Sequence, residues 1–241
     1  MIPGPEMQGA GRAVIWLIVA GSAAAAFAAE PANSGFPVFP ESLQFSVNWP
    51  SGLSLGEGRL SARKLADRWE FALELEAALP GFAVLDRYRS SASLDLCSLE
   101  FHKDVVHGAR KAREQTVFDY RKSIAIRTTT NGGKSELMIP ACARDGLAFL
   151  FFTRRELAQG KVPAPQTIFF GAPYQIRLEY TGEQAVSVNE RKMPADHVAV
   201  FIRGPASNVN CEIFFARDAA RTPLVIRAPF SLGVFSMELV R

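Results

Sequence analysis

The sequence predicts a mainly β protein: an antiparallel meander curled into a barrel or half-open barrel, with one helix, residues 145–159, packed against it. Three observations indicate this fold. Apolar and polar residues alternate through most of the chain, turn residues separate the alternating runs, and a single segment follows the helical period instead. Alternation is typical of strands with one water-facing side, and many short strands of this kind form curled sheets or barrels.

Composition narrows the class of protein. The chain has 241 residues, of which 48% are hydrophobic and 21% charged, and this is enough to bury a substantial core. It excludes a collagen, a coiled coil, a disulfide-dense mini-protein and a largely disordered chain. The basic residues near the middle of the chain alternate with acidic ones, unlike the dense basic stripe of a nucleic-acid-binding protein. We therefore expect no nucleic-acid partner.

The first 28 residues have the features of an export signal. Arg12 precedes the apolar run 13–20, and small residues lead to an A-x-A sequence that ends at Ala28. A positive start, a short apolar centre and such a site are typical of a secretory signal peptide. We expect cleavage near Ala28 and a location in the periplasm or cell envelope. The alternative is an uncleaved anchor, because residues 13–29 approach the shortest length that spans a bilayer.

The remainder of the chain is predicted to be a linker, residues 29–41, followed by a single β-rich domain, residues 42–241. The linker is rich in proline and small polar residues, which favour extended or turn structure. Gly56 and Gly58 lie within a predicted strand and indicate a bulge or a close approach of two backbones. The strand candidates are Leu43–Trp49, Leu55–Leu65, Trp69–Leu75, Leu96–Lys103, Glu114–Tyr120, Ser123–Thr129, Tyr174–Tyr180, Ala185–Glu190, His197–Arg203, Cys211–Arg217, Pro223–Pro229 and Gly233–Val240.

The predicted helix is apolar on both sides. Asp145 is placed to cap its start and Gly160 to end it. At 100° per residue, one face receives Leu147, Leu150, Phe151, Leu157 and Ala158, and the opposite face receives Phe149 and Phe152. A helix with two apolar sides must be covered on both of them. We therefore expect it inside the mouth of the curled sheet or beneath a loop.

Arg154 projects into the main apolar face of this helix. A buried guanidinium needs an acid, carbonyl oxygens or a ligand anion as its partner. The structural interpretation is that Arg154 reaches solvent near the helix end or pairs with a core acid. The functional interpretation is that it meets the acidic headgroup of a ligand.

Three cysteines allow at most one disulfide within the chain. Cys97 and Cys142 both lie at element edges beside turn-like sequence, so we predict that they form the bridge. Cys211 alternates onto the same face as Ile213 and Phe215, which predicts a free, buried thiol. The alternative is that all three thiols are reduced.

No sequence pattern indicates a catalytic residue, a metal site or a cofactor. His102, Asp104 and His107 are suitable metal ligands by type, but the alternation places His102 on a water-facing strand surface without a supporting shell. His197 is interpreted as a strand-edge residue. Nucleophile-elbow, zinc-protease and nucleotide-binding sequence motifs are absent. Carboxylates are abundant, so spacing alone leaves a glycosidase open.

Several segments resemble, in order, a known family. Residues 140–160 place a proline and an aspartate before a short aromatic-rich helix, then an arginine and a closing glycine. This resembles the central motif of the bacterial family known as domain of unknown function 3108. Further similar segments are Trp49 with Gly56 and Gly58, residues 86–92, residues 218–223 and residues 233–239. The resemblance implies an exported, β-rich envelope protein and implies no activity.

The leading hypothesis is a non-enzymatic binder of an apolar or lipid-like ligand, with Phe149, Phe152 and Arg154 as the binding residues. It follows from the curled sheet, the 18 phenylalanines and the aromatic helix, since apolar ligands bind in the mouths of barrels. Such a protein would be peripheral to the membrane at most. The alternative is a scaffold module that contacts other envelope proteins, and a third possibility is a carboxylate-dependent hydrolase. A cavity lined by the helix favours binding, and a packed core favours a scaffold.

Overall fold

The computed structural model describes residues 40–79, 81–205, 208–230 and 233–240. The predicted signal peptide and all of the linker before Pro40 lie outside these ranges. Within them, no helix is both long enough and apolar enough to cross a bilayer.

Fifteen strands and one helix make up the described part of the chain. The strands are β1 (Glu41–Asn48), β2 (Ser54–Lys64), β3 (Arg68–Leu79), β4 (Phe82–Ser93), β5 (Ser98–His107), β6 (Arg110–Asp119), β7 (Ile124–Thr129), β8 (Lys134–Met138), β9 (Arg144–Asp145), β10 (Gln166–Phe169), β11 (Pro173–Val188), β12 (Arg191–Arg203), β13 (Asn208–Ala216), β14 (Pro223–Phe230) and β15 (Gly233–Leu239), and helix α1 (Gly146–Ala158) lies between β9 and β10.

The strands form one sheet in the order β8-β7-β6-β5-β4-β3-β2-β1-β15-β14-β13-β12-β11-β10-β9. Neighbouring strands are antiparallel except β9 and β10, which are parallel. Two meanders therefore extend from a central pair, β1 and β15: a first arm from β2 to β8, and a second arm from β14 back to β9. Because β8 and β9 remain as edges, the sheet is not closed. The predicted mainly β fold is confirmed, in its half-open form.

The central pair joins the two ends of the domain. Phe45 lies opposite Leu239 and Val47 opposite Met237. Gly56 lets β3 approach β2 closely, because a Cβ at that position would lie 1.9 Å from the carbonyl oxygen of Glu76. The sequence therefore identified correctly a point of close backbone approach.

One predicted turn is wrong. The sequence predicts two strands, Tyr174–Tyr180 and Ala185–Glu190, with a turn between them, but β11 runs without interruption from Pro173 to Val188. The register with β12 shifts between Tyr180 and Gly182, and Gly182 has φ +114°. A glycine with positive φ serves a β-bulge as well as a turn, so the local signal does not distinguish the two. Strands β4, β8, β9 and β10 have no counterpart among the strands that the sequence predicts.

Helix α1 has both of its predicted ends. The Asp145 carboxylate accepts hydrogen bonds from the backbone N–H groups of Leu147 and Ala148. At the other end Gly160 has φ +73°. The N–H of Gly160 donates to the Leu157 carbonyl and that of Lys161 to the Glu156 carbonyl, which is the hydrogen-bond pattern of a glycine-terminated helix.

The helix packs between the two arms, against β3 and β4 on one side and β9 and β10 on the other. It thereby contributes to two core clusters. The first core cluster contains Phe45, Leu60, Ala62, Trp69, Phe71, Ala92, Leu96, Leu147, Ala148 and Phe151. The second core cluster contains Phe149, Leu157, Ile168, Ile176, Leu178, Val198, Val200 and Phe215. Helix α1 is therefore covered on both of its apolar sides, as predicted.

The predicted division of the helix faces is right in part. Leu147 and Phe151 lie in the first core cluster and Phe149 in the second, as expected. Leu157 joins Phe149 instead of Leu147, and Ala158 is exposed. At 100° per residue Leu157 projects between Leu147 and Phe149, at the edge of the main face, and residues of the second arm pack against this edge.

Candidate functional site

The Arg154 side chain is fully buried and fully engaged. Its Nη1 and Nη2 donate to the two carboxylate oxygens of Glu41, each at 2.7 Å. Its Nε donates to the carbonyl oxygens of Ala220 at 3.0 Å and Arg221 at 3.2 Å. The structure therefore shows the pairing with a core acid that the structural interpretation described. The role of Arg154 toward a ligand stays a prediction.

Sequence reasoning missed the partner of Arg154. Glu41 was assigned to the end of the linker, but it is the first residue of β1. The carbonyl partners belong to the loop after β13, where Asp218 accepts hydrogen bonds from the N–H and the hydroxyl of Thr222. Two of the segments that carried the family resemblance, 140–160 and 218–223, thus lie in direct contact.

A buried carboxylate ties the start of the helix to the first arm. Asp145 Oδ2 accepts from the hydroxyls of Ser90 and Ser98, both at 2.6 Å. Asp145 Oδ1 accepts from the N–H groups of Leu147 at 2.8 Å and Ala148 at 3.1 Å. Burial raises the pKa of Asp145, and the four hydrogen bonds oppose that rise without cancelling it. Asp145 therefore positions α1 relative to β4 and β5.

The predicted disulfide reinforces this junction. Cys97 and Cys142 are bonded, which confirms the pairing. Next to the bridge, the Tyr120 hydroxyl donates to the carbonyl oxygens of Ser98 at 2.7 Å and Ala143 at 3.2 Å. Burial raises the pKa of Tyr120 to about 12. The chain is thus fixed to the first arm immediately before it enters the helix.

Cys211 is free, as predicted. It packs against the second core cluster together with Ile213, although it is half-buried and not fully enclosed. Burial raises the pKa of the Cys211 thiol to about 11. A thiol with such a pKa is a poor nucleophile at neutral pH.

The structure brings Phe149 and Phe152 together and places Arg154 apart from them. The rings of Phe149 and Phe152 are 6.3 Å apart, whereas Arg154 lies over the Phe151 ring at 4.8 Å. Phe149 is buried in the second core cluster. Phe152 and Leu150 contact both clusters and remain partly exposed. In the described part of the chain, no contact indicates whether these residues bind a ligand.

Two arginines that the sequence analysis did not select lie beside Phe152. The guanidinium carbon of Arg144 is 3.7 Å from the centre of the Phe152 ring, and that of Arg155 is 5.3 Å from it. Arg144 Nη1 donates to Gln166 Oε1 at 3.0 Å. Burial, followed by the charge of Arg155, lowers the pKa of Arg144. The three-residue spacing of Phe152 and Arg155 on a helix could have indicated part of this cluster.

The sheet also carries open grooves. A groove of about 700 Å³ is lined by residues that include Ser61, Ala72 and Arg89. Along the strands these side chains alternate with those of the core residues Ala62 and Phe71, which face the core and also contribute to the groove lining. A second groove of about 500 Å³ also contains Arg89. Neither groove is lined by a residue of α1.

The three candidate metal ligands do not converge. His102 Nε2 lies 3.0 Å from Glu100 Oε1, His107 Nε2 lies 2.8 Å from Asp86 Oδ1, and Asp104 accepts from Arg113 at 2.9 Å. His197 does not lie at a strand edge, as the sequence predicts, but inside β12, where it stacks on the Phe214 ring at 4.3 Å. In the described ranges no three His, Cys, Asp or Glu side chains are grouped as metal ligands.

Comparison with known proteins identifies the family. The sequence profile described as protein of unknown function, DUF3108, matches residues 44–240. The chain belongs to the DUF3108 family. The match includes every segment on which the resemblance rested, from Trp49 to Leu239. No curated protein matches this DUF3108 chain.

A solved structure supports the architecture. The DUF3108 chain is similar to a β-barrel-like protein of the domain-of-unknown-function family DUF1849 from Brucella abortus, with a TM-score of 0.61. The similarity covers 84% of this chain and 96% of that one, at 8% sequence identity. At this identity the similarity concerns the fold alone.

Proposed function

We propose that this DUF3108 chain is a non-enzymatic binding protein of the cell envelope that holds a lipid-like ligand against the partly exposed side of α1. The observation that carries the proposal is the position of Leu150 and Phe152. Both contact the two core clusters, yet both keep part of their apolar surface exposed. Phe149 lies behind them and provides an apolar wall. Arg154 supports this surface indirectly, because its hydrogen bond to Glu41 holds the helix in position.

An envelope location has two supports. The N-terminal sequence has the form of an export signal, and the Cys97–Cys142 bridge is of a kind that persists in oxidising compartments. Both observations support a location in which lipids and other envelope components are the neighbours of the mature chain.

We also propose that the protein catalyses no reaction, and in particular that it is not a hydrolase. A carboxylate-dependent hydrolase needs two acids that are free to act on a substrate. Every carboxylate that lines the two grooves described above has a basic partner within 4.0 Å, whereas a third groove of about 220 Å³ also contains Glu57, Glu74 and Glu76. These pairs are Glu41 with Arg154, Glu70 with Arg63, Glu100 with His102, Asp104 with Arg113, and Glu114 with Arg127.

Lipid analysis tests the proposal. The full chain is expressed with its signal, purified from the periplasm without detergent, and examined by native mass spectrometry and by extraction. We expect bound lipid in the wild type and loss of most of it in Phe152→Ser. Met138→Ser is the matched control, because Met138 is also an exposed apolar side chain but lies on edge strand β8. Equal lipid in all three proteins, or none in the wild type, contradicts the proposal.

The second candidate is a scaffold module of the envelope. The dense packing on both sides of α1 favours it, as does the absence of α1 residues from the lining of the two grooves described above. A wild-type protein without lipid that is retained on immobilised envelope proteins would support this candidate instead.

A further inference from the structure

We propose that Arg144 and Arg155, which both lie over the Phe152 ring, form a binding site for a phosphate or carboxylate group. This inference deepens the proposed function, since it names the charged group of the ligand held at Phe152. It also moves the anion contact from Arg154, expected from the sequence, to two other arginines. The proposal rests on the charges and hydrogen-bond partners around Arg144.

Arg144 differs from the other arginines that lie over aromatic rings in the described ranges. Four of the five have a carboxylate oxygen within 4.0 Å, whereas Arg144 has none. The four pairs are Arg154 with Glu41, Arg155 with Glu156, Arg177 with Glu179, and Arg227 with Glu212. Arg144 is nevertheless half-buried. A guanidinium removed from water without a counter-charge is destabilising.

The hydrogen bonds of Arg144 are incomplete as well. Its Nη1 donates to Gln166. Its Nε is buried and has no acceptor among the described residues. A planar guanidinium offers five N–H donors and recognises carboxylate and phosphate through paired hydrogen bonds. Arg144 thus retains donors that an anion would satisfy.

Arg155 is a second cation close to Arg144, and an anion would stabilise both charges. Arg155 lies over the same ring as Arg144, and its charge, after burial, is the second cause that lowers the pKa of Arg144. Glu156, 3.8 Å from Arg155, opposes the effect of Arg155 on the pKa of Arg144 without cancelling it, so one carboxylate serves two guanidinium groups. An anion that contacts both guanidinium groups would offset this repulsion with favourable contacts.

The surroundings define the class of ligand. Beside the two cations lie the partly exposed apolar side chains of Leu150 and Phe152. A molecule with an anionic head and an apolar tail fits both parts of this surface. A free phosphate or carboxylate has the same head chemistry, so the experiment must separate the two sources.

Calorimetry and native mass spectrometry distinguish binding of a free anion from binding of an anionic lipid. The full chain is titrated with inorganic phosphate at low salt. It is also mixed with dihexanoyl phosphatidylglycerol, which is anionic, and with dihexanoyl phosphatidylcholine, whose head is neutral overall. We expect phosphate to bind and the anionic lipid to bind better than the neutral one. Arg144→Gln should weaken both interactions about tenfold, because hydrogen bonds to charged groups contribute at least this much.

Arg177→Gln is the matched control, since Arg177 also lies over a ring but has Glu179 as its partner. It should leave phosphate and lipid binding unchanged. If Arg144→Gln fails to fold, Arg155→Gln, at a partly exposed position, takes its place. A structural role for Arg144 would lower the melting temperature, whereas loss of an unneutralised charge should leave it unchanged or raise it.

The outcomes distinguish this site from the proposed function. Phosphate and lipid binding that is equal in the wild type, Arg144→Gln and Arg155→Gln overturns the anion site, even if lipid is bound. Phosphate binding that depends on Arg144, without binding of either lipid, supports the anion site and overturns the lipid-like ligand. Binding of both lipids with equal strength supports the ligand and overturns the anion site.

Discussion

The guanidinium of Arg154 and the carboxylate of Glu41 form a doubly hydrogen-bonded pair, with both N–O distances at 2.7 Å. Arg154 is fully buried and the Glu41 side chain is only 10% exposed. The pair joins the end of α1 to the first residue of β1. It therefore connects the helix with the central strands of the sheet.

Glu41→Gln should destabilise the protein by about 3–5 kcal/mol, because it leaves the Arg154 charge buried without its partner. Replacing both residues, as in Glu41→Leu with Arg154→Met, should recover much of this loss, since an apolar pair needs no counter-charge. Urea unfolding of the three proteins measures the effect. A free energy of unfolding for Glu41→Gln within about 1 kcal/mol of the wild type contradicts the prediction.

Removing the disulfide should cost roughly 3–4 kcal/mol of unfolding free energy, because the bridge restricts an unfolded loop that spans a sequence separation of 45 residues. Cys97→Ser with Cys142→Ser is compared with the oxidised wild type by urea unfolding. Cys211→Ala serves as the control. If reducing agent changes the midpoint of the wild type no more than that of the double variant, the bridge does not form.

Cys211 should react slowly while the protein is folded. Burial raises its pKa from 9.0 to about 11, which lowers the thiolate fraction near pH 8 by about 100-fold. Alkylation by iodoacetamide should therefore be roughly 10- to 100-fold slower than in urea, without reductant in either case. Mass spectrometry should find one alkylated cysteine per unfolded chain. Three would contradict the predicted bridge.

Asp145 should make stability fall as pH rises above about 4. Its pKa in the folded protein is raised from 3.8 by burial, so the folded state binds a proton more tightly than the unfolded state. Its contribution is complete below pH 3.8 and declines until the pH passes the folded-state pKa. Asp145→Asn should lack this decline in urea unfolding at successive pH values, while exposed Asp95→Asn keeps it. An opposite slope would show that the four hydrogen bonds outweigh burial.

The fold was predictable where one side of a strand is apolar. The run from Leu43 to Trp49 marks β1 clearly, because its inward residues are large and its outward residues polar. Strand β4 was missed because its inward positions include Tyr88, Ser90 and Ala92. Ser90 faces inward because its hydroxyl donates a hydrogen bond to Asp145. Asp145 lies far away in the sequence, so the residues around Ser90 do not indicate this contact.

The candidate site was predictable only in part. Capping at Asp145 and the end at Gly160 depend on neighbouring residues, so the sequence indicated them. The partner of Arg154 comes from Glu41, at the far end of the domain, and no local spacing identifies it. The approach of Arg144 to Phe152 requires β9 to lie beside β10, and a two-residue strand has no periodicity to detect.

Each arm of the sheet is built from strands that follow one another in sequence, but the central pair is not. Phe45 and Leu239 meet only after the last strand is available. Until the C-terminal strand has been synthesised, β1 has one free edge. A chain shortened by its final strand therefore lacks the pairing that unites the two halves.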